Sequence, residues 1–174
     1  EIAINLATYS SSADDIKTQK KIIDANIIFL SKLLHALKSN KELLFINTGT
    51  FAEYFTNSNE LDPAYFYSAT KTAGRYLIKY YSQAYSFKTV HVIPYTLYGP
   101  NDERKKLIHF LIDSLDSKTP IKTTKGEQIL DFLYIDDLID LYAKIINKHN
   151  LIEDGVEFKA GTSIGSSIKN VVKI

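Results

Sequence analysis

The sequence predicts an α/β fold built on a parallel sheet flanked by helices. Three observations carry that reading. Short runs of Ile, Val, Leu and Phe alternate with longer amphipathic segments. The short runs are apolar on both faces, as strands covered from two sides must be. Polar and chemically unusual residues gather where those runs end, and the carboxyl ends of strands are where such sheets bind ligands.

Taken in order, Ile2-Ala3-Ile4-Asn5-Leu6 reads as a buried strand and Tyr9 to Ser12 as a loop. Asp14 or Asp15 is placed to cap a helix reaching about Lys38, because Ile16, Ile23, Ile27, Leu30, Leu34 and Leu37 repeat at helical spacing. Leu43 to Ile46 forms a second strand that ends in Asn47-Thr48-Gly49-Thr50. A polar loop from Thr56 to Pro63 leads into a helix from about Ala64 to Ser86, and Thr89 to Pro94 is a third strand. Beyond Tyr98-Gly99-Pro100 the pattern predicts a helix near Lys105 to Asp116 and short strands at Ile121 to Thr123 and Phe132 to Ile135. A helix from Asp136 to Asn147, a strand at Val156 to Ala160 and a helix beginning at Ser166 complete the chain.

Composition narrows the function classes. The 174 residues are 45% hydrophobic with only 7 Gly and 4 Pro, which excludes a disordered or collagen-like chain. Basic and acidic residues nearly balance, at 21 against 20, so there is no electrostatic footprint for nucleic acid, and small-molecule partners are expected. Without Cys there is no disulfide framework, thiolate metal site or cysteine nucleophile, which suits a cytoplasmic setting. Apolar runs such as Ile27 to Leu30 are far shorter than the ~20 residues of a membrane span, so no membrane association is expected. The absence of Met, even at position 1, points to part of a longer translation product.

Tyr67 and Lys71 stand one helical turn apart near the start of the second long helix. A neighbouring ammonium favours the phenolate and makes a tyrosine a usable acid or base near neutrality. Spacing alone is equally that of a solvated helix face. Thr50, at the end of the preceding strand, adds a hydroxyl, and Thr48-Gly49-Thr50 would bring backbone and hydroxyls close to a ligand. His35, His91 and His109 lack metal-ligand spacing and read as structural or solvated, so no metal site is expected. Asp136-Asp137 reads as a helix start favoured by the dipole rather than an acid/base pair.

A Thr, a Tyr and a Lys in this order resemble the triad of the short-chain dehydrogenase/reductase superfamily, in particular its extended branch of nucleotide-sugar epimerases, dehydratases and reductases. Ile4-Asn5-Leu6-Ala7, the Asn-containing segment Asn26 to Leu34, Phe45 to Tyr54, Tyr98-Gly99-Pro100 and Tyr134 to Asp137 resemble further motifs of that branch in the right order. Asn47 to Thr50, Tyr98 to Lys105 and Gly126-Glu127-Gln128 look most like the CDP-abequose and CDP-paratose synthase group, enzymes that reduce the 4-keto group of a CDP-linked 3,6-dideoxyhexose.

The resemblance implies a Rossmann-like sheet, an NAD- or NADP-dependent enzyme, a nucleotide-diphosphate sugar as substrate, a place in lipopolysaccharide sugar biosynthesis and a homodimer formed through the two long helices. It implies Tyr67 as general acid, Lys71 as the group that depresses the Tyr pKa and binds the nicotinamide ribose, and Thr50 as a hydrogen-bond donor to the reacting oxygen. Ala7, Thr8, Pro94, Tyr95 and Leu97 would line the cofactor, and Thr48, Thr50, Arg104 and Lys105 would face the substrate.

Two departures matter. Dehydratases carry an Asp-Glu pair directly after the Thr, where this chain has Phe51-Ala52, with Glu53 one position late. Many members place an Arg before the pair matching Asp131-Phe132, where this chain has Leu130, so Arg104, Lys105 and Lys106 are the cations left for a diphosphate. The chain also holds no Gly-x-x-Gly-x-x-Gly turn after its first strand. Residues 1–100 therefore read as the later part of a dinucleotide-binding domain and 101–174 as a mixed segment containing part of a smaller substrate domain and a returning Rossmann element. This piece alone is expected to bind dinucleotide poorly. A 4-epimerase with retained NAD and a non-catalytic module with an inherited triad are the alternative readings.

Overall fold

The computed structural model describes residues 1–55, 59–102, 106–117 and 125–172. The chain divides into two compact units, Glu1–Ile93 with Lys144–Lys159, and Pro94–Ala143 with the segment from Ala160 onward.

The first unit is built on a four-stranded sheet with the order β1 (Ile2–Asn5), β2 (Leu44–Thr48), β3 (Lys88–Pro94) and β6 (Val156–Ala160). β1, β2 and β3 are parallel, with Ile4 opposite Ile46 and Ile46 opposite Val90. Both faces of β2 are covered: Phe45 on one and Leu44 and Ile46 on the other are buried, which is why the strand reads as a continuous apolar run.

The crossover between β1 and β2 is one helical run in three parts, α1 (Ile16–Ile23), a π turn (Asp24–Ile28) and α2 (Phe29–Leu37). Asp15 caps it, its carboxylate accepting from the Thr18 amide at 3.0 Å. Between β2 and β3 run a 3₁₀ turn (Phe51–Glu53) and α3 (Phe66–Tyr85), which ends on Ser86 in the left-handed conformation with its amide bonded to the Ser82 carbonyl. Leu30 and Leu34 from α2, Ile78 from α3 and Leu43, Phe45 and Phe87 from around the strands form one cluster, with the Phe45 and Phe87 rings 6.4 Å apart. Gly74 lets α3 lie close on this run, since a Cβ there would stand 2.9 Å from the Leu30 side chain.

The second unit holds a three-stranded sheet with the order β4 (Thr96–Tyr98), β5 (Ile129–Tyr134) and β7 (Gly165–Ser167), β4 and β5 parallel and β5 and β7 antiparallel. α4 (Leu107–Ser117) and α6 (Ile168–Val171) belong to it, and α5 (Ile135–Asn147) begins in it. The sequence reading assigns no strand at β4, begins β5 three residues late at Phe132, and differs again at β7. Ser166 opens no helix, because Gly165, Ser166 and Ser167 pair with Asp131, Leu130 and Ile129, and only then does Ser167 cap the short α6 by accepting from the Asn170 amide. The strand expected at Ile121 to Thr123 lies outside the described residues.

Candidate active site

The carboxyl end of β2 runs directly into the segment that carries Thr50. The Gly49 amide continues the ladder by bonding the Val92 carbonyl at 2.7 Å, and Thr50 then leaves the sheet as the cap of the 3₁₀ turn. Its hydroxyl accepts from the Ala52 amide at 3.4 Å, while its own amide donates to Glu53 Oε1 at 2.8 Å, closing a reciprocal capping box. Glu53 is fully buried. Its second oxygen takes Arg75 Nε at 2.6 Å and the Thr72 hydroxyl at 3.5 Å, both from α3. Arg75 Nη1 also bonds Glu157, whose other oxygen accepts from the Tyr54 hydroxyl at 2.6 Å. Burial works against the Arg75 charge, and the Glu53 and Glu157 carboxylates more than offset it. Burial, reinforced by the bond to Glu157, pushes the Tyr54 phenol up to about 12.

α3 starts on a second reciprocal cap, Tyr65 N–H to the Ser68 hydroxyl at 3.1 Å and that hydroxyl to the Tyr65 carbonyl at 2.8 Å. One turn of helix then presents Tyr67 and Lys71, only 7% and 8% exposed, so the solvated-face reading of this pair is excluded. The Tyr67 ring stacks on Tyr65 with centroids 5.9 Å apart. Among the described residues Lys71 makes no hydrogen bond or ion pair. Burial lowers its ammonium to about 8, with Glu53 acting to raise it and Arg75 to lower it further. Lys71 lines a small cavity with Asn5, Ala7, Asn26 and Asn47.

A row of polar side chains crosses the sheet beside that cavity. Asn5, Asn47 and His91 are register partners on three adjacent strands; Asn5 Nδ2 donates to Asn47 Oδ1 at 3.1 Å, and Asn47 Nδ2 lies 3.5 Å from His91 Nδ1. Among the described residues Asn5 Oδ1 is buried with no hydrogen-bond partner. Burial, then the Arg75 charge, depresses His91 to about 4, so it is a neutral core histidine.

The remaining predicted residues fall as follows. Thr48 is half-buried at the end of β2, opposite Val92. Ala7 joins Lys71 at the cavity, whereas the Thr8 hydroxyl is donated to Asn26 at 2.9 Å. Pro94, Tyr95 and Leu97 belong to the second unit, where the Tyr95 amide bonds the Ala160 carbonyl and Leu97 pairs with Leu133. Asp131 in that unit anchors the turn after β6, accepting from Thr162 and Ser163. Arg104 and Lys105 lie outside the described residues. No group of three His, Cys, Asp or Glu suited to a metal occurs among the described residues. The Glu53–Arg75 pair was not anticipated, although both signals were present: a Thr-x-x-Glu capping box, and an Arg four residues beyond Lys71 on the same helix face.

A parallel sheet with flanking helices, a Thr-bearing turn at a strand end and a buried Tyr-x-x-x-Lys on the next helix define the Rossmann-like class of extended short-chain dehydrogenase/reductases. Residues 1–161 match the NAD dependent epimerase/dehydratase family, and the chain belongs to it. It is 32% identical over 86% of its length to a CDP-abequose synthase of Salmonella typhimurium, covering 50% of that protein. It is 30% identical over 99% of its length to a CDP-abequose synthase of Yersinia pseudotuberculosis, covering 60%. Among solved structures, UDP-glucuronic acid 4-epimerase from Bacillus cereus in complex with UDP-glucuronic acid and NAD superposes with a TM-score of 0.89 at 25% identity, over 99% of this chain and 57% of that one. The chain thus spans half to six-tenths of the length of these two curated relatives.

Proposed function

We propose that the full-length protein is an NAD(P)-dependent reductase of the 4-keto group of a nucleotide-linked deoxysugar, with Tyr67 as general acid. One observation carries this reading: Tyr67 and Lys71 are buried together one turn apart, and Lys71 is a buried cation whose donors are uncommitted among the described residues. An ammonium with free donors beside the unpartnered acceptor Asn5 Oδ1 fits a group bearing vicinal hydroxyls, as a dinucleotide ribose does. When bound, the dihydronicotinamide supplies the hydride.

The chain's own residues do the rest. Tyr67 holds the proton delivered to the carbonyl oxygen, and Lys71 lowers the cost of leaving a phenolate behind. Thr50, fixed at the head of the 3₁₀ turn, donates its hydroxyl to the same oxygen. A diphosphate finds its cations among Arg104, Lys105 and Lys106. Glu53, turned into the core and fully buried, is unsuited to the acid/base work of a dehydratase. The names of the Salmonella and Yersinia relatives favour a CDP-linked sugar.

The protein works in the cytoplasm in this reading; no described helix is long and apolar enough to cross a membrane. Exposed Phe29, Tyr76 and Tyr80 on α2 and α3 suit a homodimer through these helices. The test is to mix full-length protein with NADH or NADPH and a CDP-linked 4-keto-3,6-dideoxyhexose, following nicotinamide absorbance and the product by NMR. Consumption of cofactor with formation of the C4 alcohol is expected; no consumption with either dinucleotide overturns the reading. The Bacillus 4-epimerase with its NAD supports a second reading, a nucleotide-sugar 4-epimerase. That protein would purify with tightly held dinucleotide and interconvert sugars with none added.

A further inference from the structure

We propose that Glu53 is a positioning residue of this site: one carboxylate, buried and clamped by Arg75, fixes the Thr50 backbone from inside the fold and gives the Lys71 ammonium its counter-charge. The proposal rests on the reading of Thr50, Tyr67 and Lys71 given above.

The two carboxylate oxygens divide the work. Oε1 receives the Thr50 amide at 2.8 Å and Oε2 receives Arg75 Nε at 2.6 Å, so the Thr50 turn is fastened to the helix that carries Tyr67 and Lys71 through a single side chain. The strand end is shaped around that carboxylate. A Cβ on Gly49 would lie 2.6 Å from Oε1, closer than any side chain can stand. Capping alone does not call for this arrangement, because a Ser or Asn side chain would hold an orphan amide without taking a carboxylate out of water. A buried anion is a costly cap unless its charge is used.

Arg75 pairs that charge, and the Thr72 hydroxyl bond sets the same carboxylate against the turn of α3 that carries Lys71. The side chains that share its cavity from the other elements, Asn5 of β1, Ala7, Asn26 of the π turn and Asn47 of β2, carry no charge. The charged groups that act on it are Glu53, which favours the ammonium, and Arg75, which disfavours it. Tyr67 is the titratable group on the preceding turn of its own helix. Removing the Glu53 charge therefore takes away the anion that favours the Lys71 ammonium and leaves Arg75 paired with Glu157 alone, and both changes favour the neutral amine.

The experiment uses Glu53→Gln and Glu53→Asp in the full-length protein, with two readouts. The first is the rate of acetylation of Lys71 against pH by competitive labelling and mass spectrometry, which needs neither substrate nor cofactor. The second is the pH profile of turnover. Glu53→Gln keeps an acceptor for the Thr50 amide but removes the charge, so the Lys71 midpoint and the alkaline limb of turnover should both move down by about half a pH unit or more, with turnover roughly tenfold lower at neutral pH. Glu53→Asp keeps the charge on a shorter arm. It should hold the Lys71 midpoint near the wild-type value while lowering turnover, and it stands in if the Gln variant does not fold. A Gln variant with wild-type midpoint and profile, or an Asp variant whose midpoint falls, overturns the proposal. A wild-type protein that reduces no 4-keto sugar removes the catalytic reading, and the labelling then decides the Glu53–Lys71 coupling by itself.

Discussion

Asn26 Nδ2 donates to the Thr70 hydroxyl at 3.0 Å, and through that bond the π turn is fastened to α3 between Tyr67 and Lys71. The Thr70 hydroxyl passes its own proton to the Tyr67 carbonyl at 2.7 Å. The other end of the amide accepts from the Thr8 hydroxyl at 2.9 Å and the Tyr9 amide at 3.2 Å, and Nδ2 also reaches the Tyr9 carbonyl at 3.3 Å. One buried side chain thus ties the loop after β1 to the helix that bears the candidate acid. Asn26→Ala strands several of these groups, and since one buried polar group left unpaired costs roughly 1–3 kcal/mol, a loss of about 2–4 kcal/mol is expected. Urea unfolding measures it; an Ala variant as stable as the wild type would mean the four bonds contribute nothing net.

Gly49 and Gly155 separate two reasons for a glycine, close packing and left-handed backbone. A Cβ on Gly49 meets Glu53 Oε1 at 2.6 Å and both Arg75 Nη2 and the Ile93 side chain at 3.5 Å, and the other oxygen of the carboxylate is held by Arg75 Nε. Gly49→Ala should therefore destabilise the fold by at least about 2 kcal/mol, as overpacked cores do, and lower turnover because the Thr50 turn is displaced. Gly155 is the control. Nothing lies within 4 Å of a Cβ there, but its φ of +76° is left-handed, so Gly155→Ala should cost about 1 kcal/mol and leave turnover unchanged. Equal effects on turnover from the two substitutions would contradict the packing account.

What was legible in the sequence is what short-range spacing encodes. The alternation of buried strands and amphipathic helices is local, and so is the Tyr67–Lys71 step, one turn of a helix whose apolar stripe is plain. The polar row Asn5, Asn47 and His91 was not legible, because it exists only once three strands far apart in sequence adopt a common register. The burial of Glu53 is of the same kind. Its partner Arg75 comes from α3 and is itself bonded to Glu157 of β6, so the sequence showed a surplus Glu after Thr50 without showing that it points inward. β4 and β7 are three residues each, too short to carry a period, and β7 is Gly-Ser-Ser, which reads as a loop until its pairing with β5 is known. The π turn leaves no mark on apolar periodicity over its five residues.

His91 gives a pH prediction whose sign follows from burial. Its folded-state value is depressed to about 4 from the ordinary 6.5, so between those values the unfolded chain binds a proton that the native chain does not. The stability it supports is complete above 6.5 and lost progressively as pH falls toward 4. The shift corresponds to roughly 3 kcal/mol in full. Unfolding by urea at pH 7 and pH 4.5 should show the wild type losing about 2–3 kcal/mol more than His91→Asn between the two conditions. A variant with the same loss would place the acid sensitivity elsewhere, in the Glu53–Arg75–Glu157 set.

Tyr67→Phe and Lys71→Met divide the candidate chemistry from binding. Phe keeps the ring that stacks on Tyr65 and leaves the Thr70 bond to the residue-67 carbonyl intact, so the fold and dinucleotide affinity should be nearly unchanged. The substitution removes the phenolic hydroxyl, and general acid catalysis of this kind accounts for about 10²–10⁴ in rate. Turnover should fall by that factor with KM for the dinucleotide close to the wild-type value. Met at position 71 fills the same buried volume without the ammonium, and it removes both the charge that assists Tyr67 and the donors free for a ribose. Its turnover should fall as in Tyr67→Phe, and KM for the dinucleotide should rise as well. A Lys71→Met protein with unchanged dinucleotide KM would confine Lys71 to tuning the phenol, and a Tyr67→Phe protein with undiminished turnover would move the general acid to another group.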